Sequence, residues 1–222
     1  CFNLAIRLLK NNNDLNLING PINKKKFLNT KYSGITEYLG SKTNCFDKVV
    51  MLIYNKRVSV SPITTHVPLK DVHKKISKKK IINHAISVNN FFKAKLRFKP
   101  KIAITGLNPH CESNFTSSEE NKIIIPAIKY LKRRKYLVSG PYPADTIFLK
   151  KNIKNFDVII GMYHDQVLAP LKALFEFDAI NITIGLPFIR ISPDHGPNIK
   201  MLGKNLSDPK SLIEAIKFLD NK

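Results

Sequence analysis

Three apolar, β-rich runs in this chain stop abruptly, and each is followed within a few residues by a histidine. Ile63-Thr64-Thr65 leads to His66, and Ile102–Gly106 leads through Leu107-Asn108-Pro109 to His110. Val158-Ile159-Ile160 ends at Gly161 and is followed by Tyr163, His164, Asp165 and Gln166. Further along the same stretch stand Lys172, Asn181, Arg190, Asp194 and His195. Apolar strands that end at clustered titratable residues suit an α/β enzyme, in which the site gathers beyond the carboxyl ends of the strands. One such histidine is usually a packing or capping residue. Three at the same structural position are better explained by one shared metal site. Neutral imidazoles suit zinc and other borderline divalent ions such as cobalt, and three protein ligands leave positions open for substrate oxygens.

The remaining pattern is also α/β. Periodicity predicts a helix over 2–10, a short strand near Leu15–Ile18 and a hairpin of Val49–Tyr54 with Arg57–Ile63 across Asn55-Lys56. A helix is expected over 68–95, with Ile76, Ile81, Ile82, Ala85, Ile86 and Val88 on its buried face. Lys101–Thr105, Phe156–Ile160 and Asn181–Ile184 read as strands. A helix over 117–134 is started by Ser117 or Ser118 with Glu119 and Glu120 in its first turn, and Ser207-Asp208-Pro209 caps a last helix over 209–220. Alternating helices and strands favour a layered α/β/α architecture. No repeat or low-complexity linker marks a lobe boundary, so 1–222 is read as one α/β domain.

Charge excludes less than its size suggests. The chain holds 37 Lys+Arg against 16 Asp+Glu, a net +21. The runs Lys24-Lys25-Lys26, Lys78-Lys79-Lys80 and Lys132-Arg133-Arg134-Lys135 would suit a polyanion. No zinc-finger or helix-turn-helix spacing and no RNA-binding aromatic motif accompanies them, so specific nucleic-acid binding is not expected. A phosphorylated, carboxylated substrate would benefit from the same field. Cys1, Cys45 and Cys111 show no paired spacing, so neither a disulfide framework nor a thiolate zinc site is indicated, which suits a reducing cytoplasm. No apolar stretch approaches the roughly 20 residues of a membrane span.

The segments NGPINK (19–24), TTHVPLKD (64–71), GLNPH (106–110), SGPYPADT (139–146), MYHDQ (162–166) and NITIGLPFIRISPDHG (181–196) resemble 4-hydroxythreonine-4-phosphate dehydrogenase in order and in spacing. The resemblance covers essentially the whole chain. It implies the isocitrate and isopropylmalate dehydrogenase type of fold. It also implies NAD-dependent, metal-assisted oxidation and decarboxylation of 4-phosphooxy-threonine to 3-amino-2-oxopropyl phosphate, in pyridoxal phosphate biosynthesis. His66, His110 and His164 would be the metal ligands, for zinc or alternatively magnesium or cobalt. A histidine from a partner subunit would complete each site, so an obligate homodimer is implied. In that arrangement His66 and His110 should lie together, with His164 apart and meeting them across the dimer.

Within this resemblance, Thr36, Lys172, Asn181 and Arg190 occupy substrate-binding positions. Arg grips phosphate or carboxylate through a bidentate fork, whereas Lys acts as a point charge. Asp145 and Asp165 are candidates for orienting the histidines or moving protons, or else they cap turns. No G-x-G-x-x-G or P-loop pattern is present. Asp194-His195-Gly196-Pro197-Asn198, followed by Leu202-Gly203-Lys204-Asn205, instead looks like an adenosine-binding loop, the alternative being a glycine turn before the last helix. Two departures stand out. Ile35 replaces a substrate-contacting histidine just before Thr36, and Cys111-Glu112-Ser113-Asn114 replaces a Gly-rich turn after His110. Residue 1 is Cys and the first helical face starts at Phe2, so an opening strand and its turn are expected to be missing. The alternative to an enzyme is therefore a non-catalytic remnant that keeps the fold and binds metal.

Overall fold

In the computed structural model the described residues are all but 13, 24–26, 28–31, 33, 112–115, 198 and 221–222. Lys24-Lys25-Lys26, Glu112-Ser113-Asn114 and Asn198, all singled out above, lie outside them. The chain divides into two compact units, one made of Cys1–Asn55 with Phe175–Lys222 and the other of Lys56–Leu174.

The second unit is built on four parallel strands. They are β3 (Ser59–Thr64), β4 (Ile102–Thr105), β5 (Val138–Tyr142) and β6 (Val158–Tyr163), in the order β3-β6-β4-β5. Helix α3 (Lys78–Phe91) precedes β4, α4 (Ile125–Arg133) precedes β5, and α5 (His164–Phe175) follows β6 directly. β3 and β4 are buried at every residue and β6 at all but Tyr163. That explains why β4 and β6 read as largely apolar runs: a parallel sheet covered on both faces has no polar side to alternate with. Pro141 sits in β5, at the end of this order, where a missing N–H costs least.

The first unit holds β1 (Leu17–Ile18), β2 (Val50–Tyr54), β7 (Ile180–Ile184) and β8 (Arg190–Pro193), in the order β1-β8-β7-β2. β1 runs parallel to β8, while β7 is antiparallel to both β8 and β2. Helix α1 (Phe2–Asn11) packs Ile6 against Ile35 and Leu39 of α2 (Ile35–Lys42). Helix α6 (Lys210–Asp220) buries Ser211 and Ala215.

Two expected helices are shorter than their periodicity suggests. The segment 68–95 breaks at Ile76, because the Ser77 hydroxyl accepts from the Lys80 N–H and starts a new helix. Ile86 is only half-buried on it. The segment 117–134 begins as a π-turn over Glu120–Ile124 and becomes α-helical only at Ile125. Pro126 has no N–H to give to the carbonyl four residues earlier, so regular helix cannot extend back through it. Ser118 is the cap, accepting from the Asn121 N–H. Helix α5 and strands β5 and β8 are masked in the sequence by Pro170, Gly140-Pro141 and Pro193, and the short α2 carries no clear helical period.

One buried polar pair ties α3 to the parallel sheet. His84 lies 2.6 Å from the Ser61 hydroxyl of β3, and burial, helped by Lys80, lowers its pKa to about 3. The folded protein keeps this imidazole neutral, whereas the unfolded chain protonates near 6.5. Its contribution is intact above pH 6.5 and is lost as pH falls from there towards about 3. We expect His84→Gln to flatten the pH dependence of unfolding free energy by about 1.4 kcal/mol per pH unit within that window, read by urea titration. Identical slopes for variant and parent would refute this.

Candidate active site

The three histidines are set out by the parallel strands of the second unit. His66 stands two residues beyond β3, His164 opens α5 at the end of β6, and His110 lies in the turn that follows β4. Because β3, β6 and β4 are adjacent and parallel, all three histidines reach the same carboxyl edge. Gly161 lets α5 fold back onto its own strand, as a Cβ there would come within 2.4 Å of Val167.

The pairing differs from the one expected. His66 and His164, expected to lie apart in one chain, have ring centres 6.0 Å apart. His110 is exposed on a turn in which both it and Cys111 have left-handed backbone, φ 59° and 56°. Each such residue costs about 1 kcal/mol or more without glycine. This is how the chain shapes the turn where the resemblance implies glycines. Gly106 before it admits the Cys111 sulfur, which would lie 2.6 Å from an added Cβ.

Both aspartates sit beside histidines rather than capping helices. The Asp165 carboxylate is 2.7 Å from His164 Nδ1, and the Asp145 carboxylate is 3.7 Å from His110 Nδ1. A carboxylate on Nδ1 fixes the tautomer that leaves Nε2 bare as a donor. Among the described residues, no three His, Cys, Asp or Glu side chains are already gathered tightly enough to hold an ion. The donor set nevertheless fits one. Imidazoles bound to a common ion at about 2.0–2.1 Å have ring centres roughly 5 Å apart, so the His66–His164 pair needs to close by only about 1 Å.

In the first unit a polar face forms on β7 and β8. Thr183 lies opposite Arg190 and Asn181 opposite Ser192, which puts all four side chains on one side of the sheet. Arg190 is 3% exposed. Its Nε donates to Asn19 Oδ1 at 2.7 Å and one terminal nitrogen to the Thr183 hydroxyl at 3.2 Å. Thr36, in the first turn of α2, meets that hydroxyl at 3.4 Å. Burial alone lowers the guanidinium to about 10, so it stays charged at neutral pH with no carboxylate against it among the described residues. Among the described residues, nothing hydrogen-bonds to the buried Asn181 Oδ1. A buried cation flanked by hydroxyl and amide groups is a receptor for an anion.

Asn19 and Thr183 were not singled out from sequence. Asn19 opens the NGPINK segment, and Thr183 is two residues from Asn181 on an alternating strand, the one signal that could have found it. Ile35, by contrast, is no vacancy. It is buried with Ile6 and Leu39 in an apolar cluster. Lys172 is half-buried on α5 in the second unit. Asp194 is buried at the end of β8, with its N–H donating to the Ser211 hydroxyl. His195 is exposed with its ring edge on Phe177, and Gly196 borders open space. Asn205, at φ 52°, lines an open cavity of about 430 Å³ with Met201, Leu202, Gly203 and Ser207.

Comparison with known proteins agrees with this layout. The family described as pyridoxal phosphate biosynthetic protein PdxA matches residues 1–219. The 4-hydroxythreonine-4-phosphate dehydrogenase of Sulfurihydrogenibium sp. is 45% identical over 206 residues, 91% of this chain and 63% of its own length. That of Neisseria meningitidis serogroup A is 41% identical over 199 residues, 89% of this chain and 60% of its own. The chain thus spans less than two thirds of the length of these curated relatives. A crystal structure of a 4-hydroxythreonine-4-phosphate dehydrogenase from Burkholderia phymatum superposes with a TM-score of 0.76 at 33% identity, covering 97% of this chain and 67% of that one. Isocitrate dehydrogenase from Methylococcus capsulatus, at 9% identity and TM-score 0.56, covers 97% of this chain and 69% of its own and shares the fold alone. A chain matched by this family over nearly its full length, with the histidine edge and the arginine face described above, belongs to the PdxA family of pyridoxal phosphate biosynthetic proteins.

Proposed function

We propose that this chain acts as a 4-hydroxythreonine-4-phosphate dehydrogenase. It would oxidise 4-phosphooxy-threonine with NAD and release carbon dioxide, giving 3-amino-2-oxopropyl phosphate. The observation that carries the reading is the delivery of His66, His110 and His164 to one edge by three adjacent parallel strands. His66 and His164 would hold a divalent ion, zinc or alternatively magnesium or cobalt, and His110 is the exposed arm that joins them. A divalent ion held there acidifies a substrate alcohol, and a bound nicotinamide takes up hydride.

The chain's own groups then have separable roles. Asp165 holds the His164 ring in the donor tautomer, and Asp145, 3.7 Å from His110 Nδ1, is placed to move in and do the same. Each is also exposed enough to exchange a proton with solvent. Arg190 binds the substrate anion through the guanidinium nitrogens that Asn19 and Thr183 leave open, with Asn181 and Thr36 hydrogen-bonding beside it. Lys172 adds a cation. Asp194, His195, Gly196 and Asn205 would take the adenosine end of NAD. A homodimer and a cytoplasmic setting belong to the same reading, in which the basic runs bind no specific nucleic acid. Among the described residues no helix is long and apolar enough to cross a membrane.

Two outcomes follow. His164→Ala should abolish tight binding of zinc or cobalt, followed by calorimetric titration, with little loss of secondary structure; undiminished binding would remove the histidine edge from the mechanism. Arg190→Ala should raise KM for the phosphorylated substrate roughly ten- to a hundredfold, in line with a charge-assisted contact of about 1.5–3 kcal/mol. Arg190→Lys should recover little of it, since a point charge cannot replace the fork. An unchanged KM in Arg190→Ala would refute the anion assignment.

A further inference from the structure

A chain of buried polar groups runs beneath the three histidines. Thr64, two residues before His66, donates its hydroxyl to the Met162 carbonyl at 2.8 Å. Met162, two residues before His164, donates its N–H to Gln166 Oε1 at 2.7 Å. The same oxygen accepts from the Thr105 hydroxyl at 2.8 Å, and Gln166 Nε2 donates to the Gly106 carbonyl at 2.7 Å. The segment from Gly106 to His110 is gripped next. The Leu107 and Asn108 N–H groups both donate to Glu120 Oε1 at 2.8 Å, and Asn108 Nδ2 donates to Glu120 Oε2 at 2.8 Å and to Glu119 at 3.0 Å.

These groups are deep in the protein. Thr64, Thr105, Gln166 and Glu120 are exposed by 2%, 0%, 8% and 1%. Burial alone would push the Glu120 carboxyl up, yet the hydrogen bonds from Asn108 and Leu107 outweigh it and hold the pKa below its usual value, so the group is a buried anion. Such groups contribute little net stability over well-packed apolar side chains. Their positions are what sets them apart. The pairing of β4 with β6 ends at Ile104 and Ile160, before either strand reaches its histidine. Beyond that point Gln166 takes over as the tie between the two strand ends, and Glu120 as the tie to the turn.

We propose that Gln166 and Glu120 are positioning residues of the metal site: together they form a buried brace that fixes the His110 turn relative to His66 and His164. The proposal rests on the metal reading above. The donors come from three separate strand ends and need ångström-level placement, which a metal site with a satisfied supporting shell requires.

The test is a cobalt(II) titration of the purified protein, with ligand-field absorption read at a temperature where circular dichroism shows every variant folded. Gln166→Leu and Glu120→Leu should each weaken cobalt binding by about 10–100-fold and alter the absorption band. Glu120→Gln keeps an oxygen for the Leu107 and Asn108 N–H groups, so it should bind within a few-fold of the parent with an unaltered band. If Glu120→Leu does not fold, Gln166→Leu and Glu120→Gln still decide the matter. A Gln166→Leu protein that melts earlier yet keeps the parent's affinity and band would overturn the brace while leaving the metal reading standing. A parent protein that binds no cobalt would overturn the metal reading and the brace with it.

Discussion

Parallel alignment is the constraint from which the histidine edge follows. Strands β3, β6 and β4 are neighbours running in one direction, so whatever follows each of them emerges on the same side of the second unit. Hydrogen-bonding of the ladder and burial of both faces leave the strands themselves no freedom to carry chemistry, since their side chains are spent on packing. Chemistry is displaced to the residues just beyond the carboxyl ends. There the backbone is released from the ladder, and polar side chains replace it as the source of order. By our proposal Gln166 and Glu120 do this at His164 and His110, and Asp165 lies 2.7 Å from the His164 ring.

The first unit solves a different problem, that of keeping a cation buried. Among the described residues, Arg190 retains its charge at neutral pH although its hydrogen-bond partners are neutral, and Asn181 beside it holds a buried oxygen without a partner. Both conditions are costly in an apo protein and are relieved by one event, the arrival of an anion that accepts from Arg190 and of a donor that meets Asn181. This gives the net charge of +21 a minor place. Surface lysines raise the field for any anion, while a buried guanidinium, by our proposal, selects one by geometry.

Much of this was legible in the chain, because parallel strands write long apolar runs and their ends are marked by the polar residues that follow. The positions of His66, His110 and His164 after strands, and of Arg190 in an apolar context, needed no structure. What pairs with what was not legible. Sequence spacing says nothing about strand order, and it is the insertion of β6 between β3 and β4 that sets His164 beside His66. β5 and β8 were hidden by Pro141 and Pro193, which read as turn residues although an edge or a strand terminus tolerates them. What Ile35 does in place of the histidine was not legible either: its side chain packs into the cluster of Ile6 and Leu39.

By our proposal, one edge of the parallel sheet presents the histidines of a metal site that a partner subunit completes. The most direct measurement is a crystal structure of the protein grown with zinc, with the ion located by anomalous scattering. A strong peak is expected about 2.0–2.1 Å from Nε2 of both a His66 and a His164 ring, with Asp165 still on His164 Nδ1. A peak elsewhere, or none with those two rings left 6.0 Å apart, would contradict it.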